Sequence, residues 1–162
     1  MKESNNLKKD IILIFLGAFI SSGTALTTTF INEKRYDKKE NVKKKIELNN
    51  QISKDLGKRL YLTYQLYKSI DKNDTVYINA LKDYKISKEE WNIQIYSYQS
   101  LLKYYYSEKI KKEFLDSIYT PLVELGQQAE HRKLNKSFKN KFKIQQTKNI
   151  EFITKVYDLS NE

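Results

Sequence analysis

The most regular feature of the hydrophobic pattern is an uncharged stretch near the N-terminus. No charged side chain occurs between Asp10 and Glu33. Residues 11–31 would span roughly 32 Å as an α-helix, which matches a bilayer hydrocarbon core of about 30 Å. The pattern therefore predicts a transmembrane helix over residues 11–32, preceded by a short N-terminal tail over residues 1–10.

Small residues recur on one face of this predicted helix. They are spaced three or four positions apart, which lets two membrane helices approach closely and exchange hydroxyl hydrogen bonds. We therefore expect the protein to form a homo-oligomer through a membrane interface composed of Gly17, Ser21, Ala25 and Thr28.

A cleaved signal peptide is the alternative interpretation of the same stretch. Lys8 and Lys9 precede it, and Gly23 with Ala25 forms a small-x-small pair that a signal peptidase could accept. The uncharged run continues past this pair to Ile31, as a membrane-spanning helix requires. The membrane anchor is therefore the favoured interpretation.

The segment that follows, residues 33–53, is basic and contains neither Gly nor Pro. It holds more Lys and Arg than the tail before the apolar stretch, which predicts an outer N-terminus and a cytoplasmic domain at the inner membrane. A basic side chain at an anionic membrane surface contributes about 1 kcal/mol. We expect a juxtamembrane stalk or weak coiled coil with lipid contacts at Lys34, Arg35, Lys38, Lys39, Lys43, Lys44 and Lys45.

Apolar residues at helical spacing continue through residues 54–162. Steps of three and four over residues 42–70 are typical of a heptad pattern with some polar members. The whole pattern predicts an all-α fold, in which the transmembrane helix continues into the stalk and then into a bundle of about four helices.

Local signals predict where the first helices of this bundle end. Residues 71–74 have the composition of a turn, and Asp74 or Thr75 could cap a short helix that reaches Tyr84. Ser87 and Glu90 have the spacing of a capping box, which predicts that a new helix starts there.

Further signals divide the second half of the bundle. Ser107 is a candidate N-cap, and Pro121 marks a kink or a fresh start in the helix that follows. The expected core face of the last helix consists of Phe138, Phe142, Ile150, Ile153 and Tyr157.

Composition supports the helical prediction, since the chain has only 4 Gly and 1 Pro. The net charge of +10 suggests a partner with acidic groups, either anionic lipid or nucleic acid. An A/T-rich bacterial genome is the alternative explanation, because Lys, Asn, Ile, Tyr and Phe have A/T-rich codons.

Catalytic chemistry is poorly represented in the sequence. There is no Cys, His131 is the single histidine, and no Gly-rich phosphate loop occurs. Zinc sites with two histidines and thiol catalysis are therefore excluded. Nearby lysines favour ion pairing over metal binding for Glu108, Glu113 and Asp116. We predict a non-enzymatic protein that uses no cofactor or metal.

Tyrosines and basic residues alternate in one part of the bundle. Tyrosines can stack on bases while lysines contact phosphates. A candidate ligand cluster is therefore Lys58, Arg59, Tyr61, Tyr64 and Lys68. The alternative is that these tyrosines are buried or half-buried packing residues, as their helical spacing also predicts.

The layout resembles small bacterial single-pass membrane proteins that have a basic flank and a helical cytoplasmic domain. The matching segments are residues 16–26, 32–35, 91–92 and 123–126. The resemblance implies the topology described above. It implies no activity and transfers no functional residue.

These observations lead to three functional hypotheses. The first is a self-assembling membrane protein that acts as an anchor, scaffold or membrane-acting subunit with a protein partner in a larger bacterial system. The second is a pore-forming or membrane-perturbing effector, for example in phage defence. The third is a membrane-tethered sensor of a nucleotide or nucleic acid.

Overall fold

A computed structural model describes the backbone of residues 3–132 and 137–160, and the side chains of residues 34–132 and 137–160. All secondary structure within these residues is helical, which confirms the predicted all-α class. The elements are α1 (Glu3–Ser69), α2 (Asp74–Tyr105), α3 (Glu108–Glu113), a π-helical turn (Phe114–Tyr119), α4 (Thr120–Glu130) and α5 (Phe138–Ser160).

The chain divides into two compact units, Met1–Asn41 and Val42–Glu162. In the part of the chain that the structure describes, none of the helices combines the length and apolar character needed to cross a bilayer. The predicted transmembrane segment 11–32, including Gly17, Ser21, Ala25 and Thr28, lies outside the residues whose side chains are described.

The second unit is a helical bundle with two groups of buried apolar side chains. The first core cluster consists of Leu48, Ile52, Leu56, Trp91, Ile95, Tyr98, Leu102, Ile110, Phe114, Ile118, Leu122, Phe152 and Val156. The second core cluster is richer in aromatic rings and consists of Leu66, Tyr77, Tyr84, Leu125, Ala129, Phe138 and Phe142.

The bundle begins earlier than the boundary expected at residue 54. Leu48 and Ile52 belong to the first core cluster, and Asn49 is completely buried. The Asn49 amide donates hydrogen bonds to the Val156 carbonyl at 3.1 Å and to the Ser160 hydroxyl at 2.8 Å. Part of the predicted stalk therefore packs in the bundle, because its polar heptad positions meet polar partners on α5.

The predicted helix start at Ser87 is wrong, since α2 runs through this position without interruption. Ser87 is buried against the bundle instead of capping a helix. The cap before α2 is Asn73, whose side chain accepts a hydrogen bond from the Val76 amide at 2.9 Å. The predicted cap at Ser107 is confirmed, because its hydroxyl accepts from the Ile110 amide.

Pro121 lies in the first turn of α4, as the predicted fresh start requires, and α3, the π-helical turn and α4 follow one another directly. Proline cannot donate to the carbonyl four residues earlier, here Ser117. The buried side chain of Gln145 on α5 supplies the missing donor, with Nε2 at 3.1 Å from the Ser117 oxygen. It also donates to the Asn149 side chain at 2.8 Å.

The hydrogen bonds of Gln145 also explain an error in the predicted core face of α5. Ile150 is exposed although it was expected in the core, whereas Gln145 and Asn149 are buried. The buried face of α5 contains Phe138, Phe142, Gln145, Asn149, Phe152, Val156 and Ser160. Polar residues occupy this face because neighbouring helices present backbone and side-chain groups that need hydrogen bonds.

Candidate functional site

An open groove lies between α1 and α5 of the bundle. Its volume is about 640 Å³, within the range of about 300–1,000 Å³ that is usual for small-molecule sites. Its lining is mostly aromatic and aliphatic and consists of Gly57, Leu60, Tyr61, Tyr64, Tyr67, Phe138, Lys139, Phe142, Lys143 and Gln146. We refer to these residues as the α1–α5 groove.

Four rings form one wall of the α1–α5 groove by stacking on one another. Tyr67 stacks on Phe138 with ring centres 4.5 Å apart and planes inclined by 8°. Tyr64 stacks on Phe142 at 5.3 Å. These stacking contacts occupy at least one face of each of the four rings.

The open space in the groove depends on Gly57. A Cβ atom placed there would meet no other atom within 4 Å, so the glycine is not required for close packing. Alanine would be more favourable than glycine in a helix interior by about 1 kcal/mol. Gly57 therefore lowers local helix stability while leaving room beside Leu60 and Tyr61.

Lysines give the groove a positive edge. Lys139 and Lys143 line it from successive turns of α5, and the Lys68 ammonium lies 4.8 Å from the centre of the Tyr64 ring. Among the described residues, no acidic side chain lines the groove. The site thus combines an apolar interior with a cationic rim, an arrangement that suits an anion with an apolar body.

The predicted ligand cluster does not form one site, because its members point in different directions around α1. Tyr61 and Tyr64 line the groove, and Lys68 covers the Tyr64 ring. Lys58 forms an ion pair with Glu90 of α2. Arg59 is only 2% exposed and belongs to the interior of the bundle.

Arg59 is held by Tyr84 of α2. Its Nη2 donates to the Tyr84 hydroxyl at 2.7 Å, and its Nη1 donates to the Tyr84 carbonyl at 3.3 Å. The guanidinium lies 4.2 Å from the ring centre, in cation–π contact. Burial lowers the pKa of Arg59 and raises the pKa of Tyr84 to about 12.

The predicted lipid-contact residues differ in their exposure to solvent. Lys34, Arg35, Lys38, Lys39, Lys43 and Lys44 are exposed. Lys45 is half-buried, donates to the Leu159 carbonyl at 3.2 Å and lies 5.4 Å from the centre of the Tyr106 ring. Its ammonium therefore caps the end of α5, where the helix dipole favours a positive charge.

Glu108 and Glu113, which could be considered as metal ligands, have lysine partners instead. Glu108 pairs with Lys111 at 2.6 Å and with Lys103 at 3.2 Å, and Glu113 pairs with Lys155 at 2.5 Å. Within the described ranges, no group of His, Cys, Asp or Glu has the arrangement of a metal site. His131 is exposed where α4 ends.

The sequence pattern predicted ligand contacts on only one side of the groove. Tyr61 and Tyr64 were predicted, whereas Gly57, Lys139 and Lys143 were not. The available signal was the spacing of Phe138 and Phe142, each followed directly by a lysine. It could have indicated an apolar face with a basic edge on α5, but not that this edge lies opposite Tyr61.

Comparison with known proteins assigns the chain to no family. No protein-family model matches the sequence, and no curated protein or solved structure is significantly similar to it.

Proposed function

We propose that this protein is a non-enzymatic, membrane-anchored binding protein whose bundle holds a small anionic amphiphile in the α1–α5 groove. The observation that supports the ligand class is the combination of an aromatic interior with lysines at its edge. The observation that supports the anchor is the uncharged stretch over residues 11–32.

An amphiphile suits the groove better than a nucleotide does. Base recognition needs free ring faces and several hydrogen-bonding groups. Here Tyr64, Tyr67 and two phenylalanines stack on one another, and among the described residues of the lining Gln146 is the only amide side chain. An alkyl chain needs only apolar contact, and its anionic head could pair with Lys139 or Lys143.

A membrane anchor would favour the same class of ligand. A protein tethered to a bilayer is exposed to a high local concentration of lipids and of their cleavage products. The bound anion would be a fatty-acid-like carboxylate or a phosphate with a single chain, because a volume of about 640 Å³ is moderate. The protein would report or retain such a molecule without transforming it.

The test compares two substitutions at Gly57 in the full-length protein. Gly57→Leu places a branched side chain in the groove, whereas Gly57→Ala adds only a Cβ that meets no atom within 4 Å. Both should preserve the fold because both residues favour helix over glycine. Gly57→Ala is therefore the matched control for an effect of Gly57→Leu on binding.

Native mass spectrometry can count bound molecules after extraction of the protein into mild detergent. The probes are lauroyl lysophosphatidate, its neutral counterpart monolauroyl glycerol, and AMP. We expect lysophosphatidate to bind the wild type and Gly57→Ala, and to bind Gly57→Leu at least about tenfold more weakly. The anchor is checked separately, since the protein should remain in the membrane pellet after an alkaline carbonate wash.

Two outcomes would contradict the proposed ligand class. Equal binding of lysophosphatidate to all three proteins would place the amphiphile outside the groove. Selective binding of AMP, lost in Gly57→Leu, would make the groove a nucleotide site.

A further inference from the structure

Another cavity lies where α1, α3 and α5 meet the turn between α2 and α3. Its volume is about 370 Å³, and its lining includes Lys45, Tyr105, Tyr106, Lys109, Lys155 and Leu159. We refer to this cavity as the basic pocket. It shares no residue with the α1–α5 groove, so it is a separate candidate site.

The charge of the basic pocket comes from three different helices. Lys45 belongs to α1, Lys109 to α3 and Lys155 to α5. Among the residues that the structure describes, no Asp or Glu lines this pocket. A cavity lined by charges of one sign concentrates ions of the opposite sign. The basic pocket therefore favours an anion.

The ammonium group of Lys45 is held in place by the bundle. It donates to the Leu159 carbonyl at 3.2 Å and lies 5.4 Å from the centre of the Tyr106 ring. The Tyr106 hydroxyl is in turn hydrogen-bonded to the side-chain oxygen of Asn49 at 3.0 Å and to the Ser160 hydroxyl at 2.8 Å. An ammonium group has three donors, so Lys45 can contact a ligand without a large loss of side-chain freedom.

Lys109 is the most accessible of the three lysines. Its side chain is exposed, and the acidic residue beside it in the sequence has other partners. Glu108 pairs with Lys111 at 2.6 Å and with Lys103 at 3.2 Å. The charge of Lys109 is therefore not neutralised by its acidic neighbour on α3.

The balance of charge indicates which anion fits. Lys155 pairs with Glu113 at 2.5 Å, so the three lysines of the pocket and this one carboxylate leave two positive charges. A phosphate monoester carries a charge of about −1.5 to −2 at pH 7 and would neutralise both. A single carboxylate would neutralise only one of them.

We propose that the basic pocket binds a phosphate monoester, with Lys45, Lys109 and Lys155 as its contacts. Lysine is a common phosphate ligand because it acts as a point charge with several donors. The same phosphate chemistry occurs in a soluble ester such as glycerol 3-phosphate and in the headgroup of the lipid phosphatidate. Affinities for the two molecules distinguish these sources.

The test uses the full-length Gly57→Leu protein, in which the leucine side chain occupies space in the α1–α5 groove. Isothermal titration calorimetry in a neutral detergent measures the affinity for glycerol 3-phosphate, dihexanoyl phosphatidate and dihexanoyl phosphatidylcholine. We expect the two monoesters to bind. Phosphatidylcholine should bind at least about fivefold more weakly than phosphatidate, because its quaternary ammonium offsets the charge of its phosphate.

Two lysines of α3 provide a matched pair of substitutions. Lys109→Gln removes a charge from the basic pocket, whereas Lys112→Gln removes the same charge from an exposed position outside its lining. Lys109→Gln should weaken the binding of glycerol 3-phosphate about fivefold, since one basic residue near an anionic group contributes about that factor. Lys112→Gln should leave the affinity unchanged. Circular dichroism checks that both variants keep the fold.

The comparison of the two monoesters identifies the source of the phosphate. If phosphatidate binds at least about tenfold more tightly than glycerol 3-phosphate, and Lys109→Gln weakens both, the ligand is a lipid headgroup. If the two affinities are equal and both depend on Lys109, the ligand is a soluble phosphate ester. Either result supports the pocket as a phosphate site.

Three results would overturn the proposal. They are a lack of binding of both monoesters, equal effects of Lys109→Gln and Lys112→Gln, or equal affinity for phosphatidate and phosphatidylcholine. The amphiphile of the groove is tested separately, by comparison of the wild type with Gly57→Leu. Failure of one site therefore leaves the other unaffected.

Discussion

Gly57 and Arg59 lie two positions apart in α1, yet they have opposite surroundings. On the open side, a Cβ atom at Gly57 would meet nothing within 4 Å. On the closed side, Arg59 is buried against Tyr84, and an added Cβ at Gly126 of α4 would come within 2.0 Å of the Tyr84 hydroxyl. One stretch of α1 thus contributes both to tight packing and to an unfilled space.

The comparison shows that the two glycines have different physical roles. Gly126 allows α4 to approach the Tyr84 ring, so its missing side chain is required by the fold. Gly57 permits no close approach, so the space beside it is not needed for packing. Alanine at this exposed position would raise helix propensity without a steric cost.

The largest expected effect distinguishes these two glycines by the sign of the change in stability. Gly126→Ala should lower the free energy of unfolding by about 3 kcal/mol, because Tyr84 is buried and hydrogen-bonded and cannot move away. Gly57→Ala should raise it by about 1 kcal/mol. Chemical denaturation of the full-length proteins, followed by circular dichroism, measures both. If both substitutions changed the free energy of unfolding in the same direction, the two glycines would not differ in their packing as described.

A smaller effect should appear on the closed side at alkaline pH. Burial raises the pKa of Tyr84 from 10 to about 12, so between these values the unfolded chain loses the proton first. The resulting stabilisation is present below pH 10 and is lost as the pH rises through 12. It amounts to roughly 2–3 kcal/mol, since one pKa unit corresponds to about 1.4 kcal/mol.

Tyr84→Phe isolates this contribution. The variant should be less stable than the wild type at pH 8, because Arg59 loses the hydroxyl that accepts from its Nη2. The difference between the two free energies of unfolding should become smaller between pH 10 and 12. If the difference in free energy of unfolding stayed constant from pH 9 to 12, the pKa of Tyr84 would be the same in the folded and the unfolded protein.

The smallest effect on stability is expected on the open side. The double substitution Lys139→Gln and Lys143→Gln should change the free energy of unfolding by less than about 0.5 kcal/mol, because both side chains are exposed. The same variant should bind lauroyl lysophosphatidate more weakly while its binding of monolauroyl glycerol stays unchanged. A large loss of stability, or equal loss of both ligands, would contradict a purely electrostatic role for the rim.

Helical periodicity predicted the all-α class and the buried residues Phe138 and Phe142 of α5. These positions follow from spacing because a core-facing helix repeats its apolar residues every three or four positions. The turn before α2 was also predicted from local composition. Only the residue that caps it differs, since Asn73 rather than Asp74 or Thr75 accepts the hydrogen bond.

The errors occur where a distant partner changes the meaning of a residue. Asn49 and Gln145 are polar, yet each is buried with hydrogen-bond partners supplied by another helix. Arg59 suggested a ligand contact, yet Tyr84 binds it inside the bundle. A single sequence does not show which groups meet across helices, so neither these positions nor the shape of the groove could be predicted.

The π-helical turn over Phe114–Tyr119 has a consequence for the length of the chain. Ile110, Phe114, Ile118 and Leu122 follow one another at intervals of four, and all are buried. In a regular α-helix each such interval would rotate the next residue by about 40° away from the core. The wider turn compensates for this rotation by accommodating one additional residue.

The chain can therefore be regarded as carrying one surplus residue at this place. A chain of the same fold that lacked the exposed Asp116 would close the wide turn into a regular one and leave α4 in register. Loss of one residue within any other helix of the bundle would rotate everything that follows by about 100° and bring its core side chains to the surface.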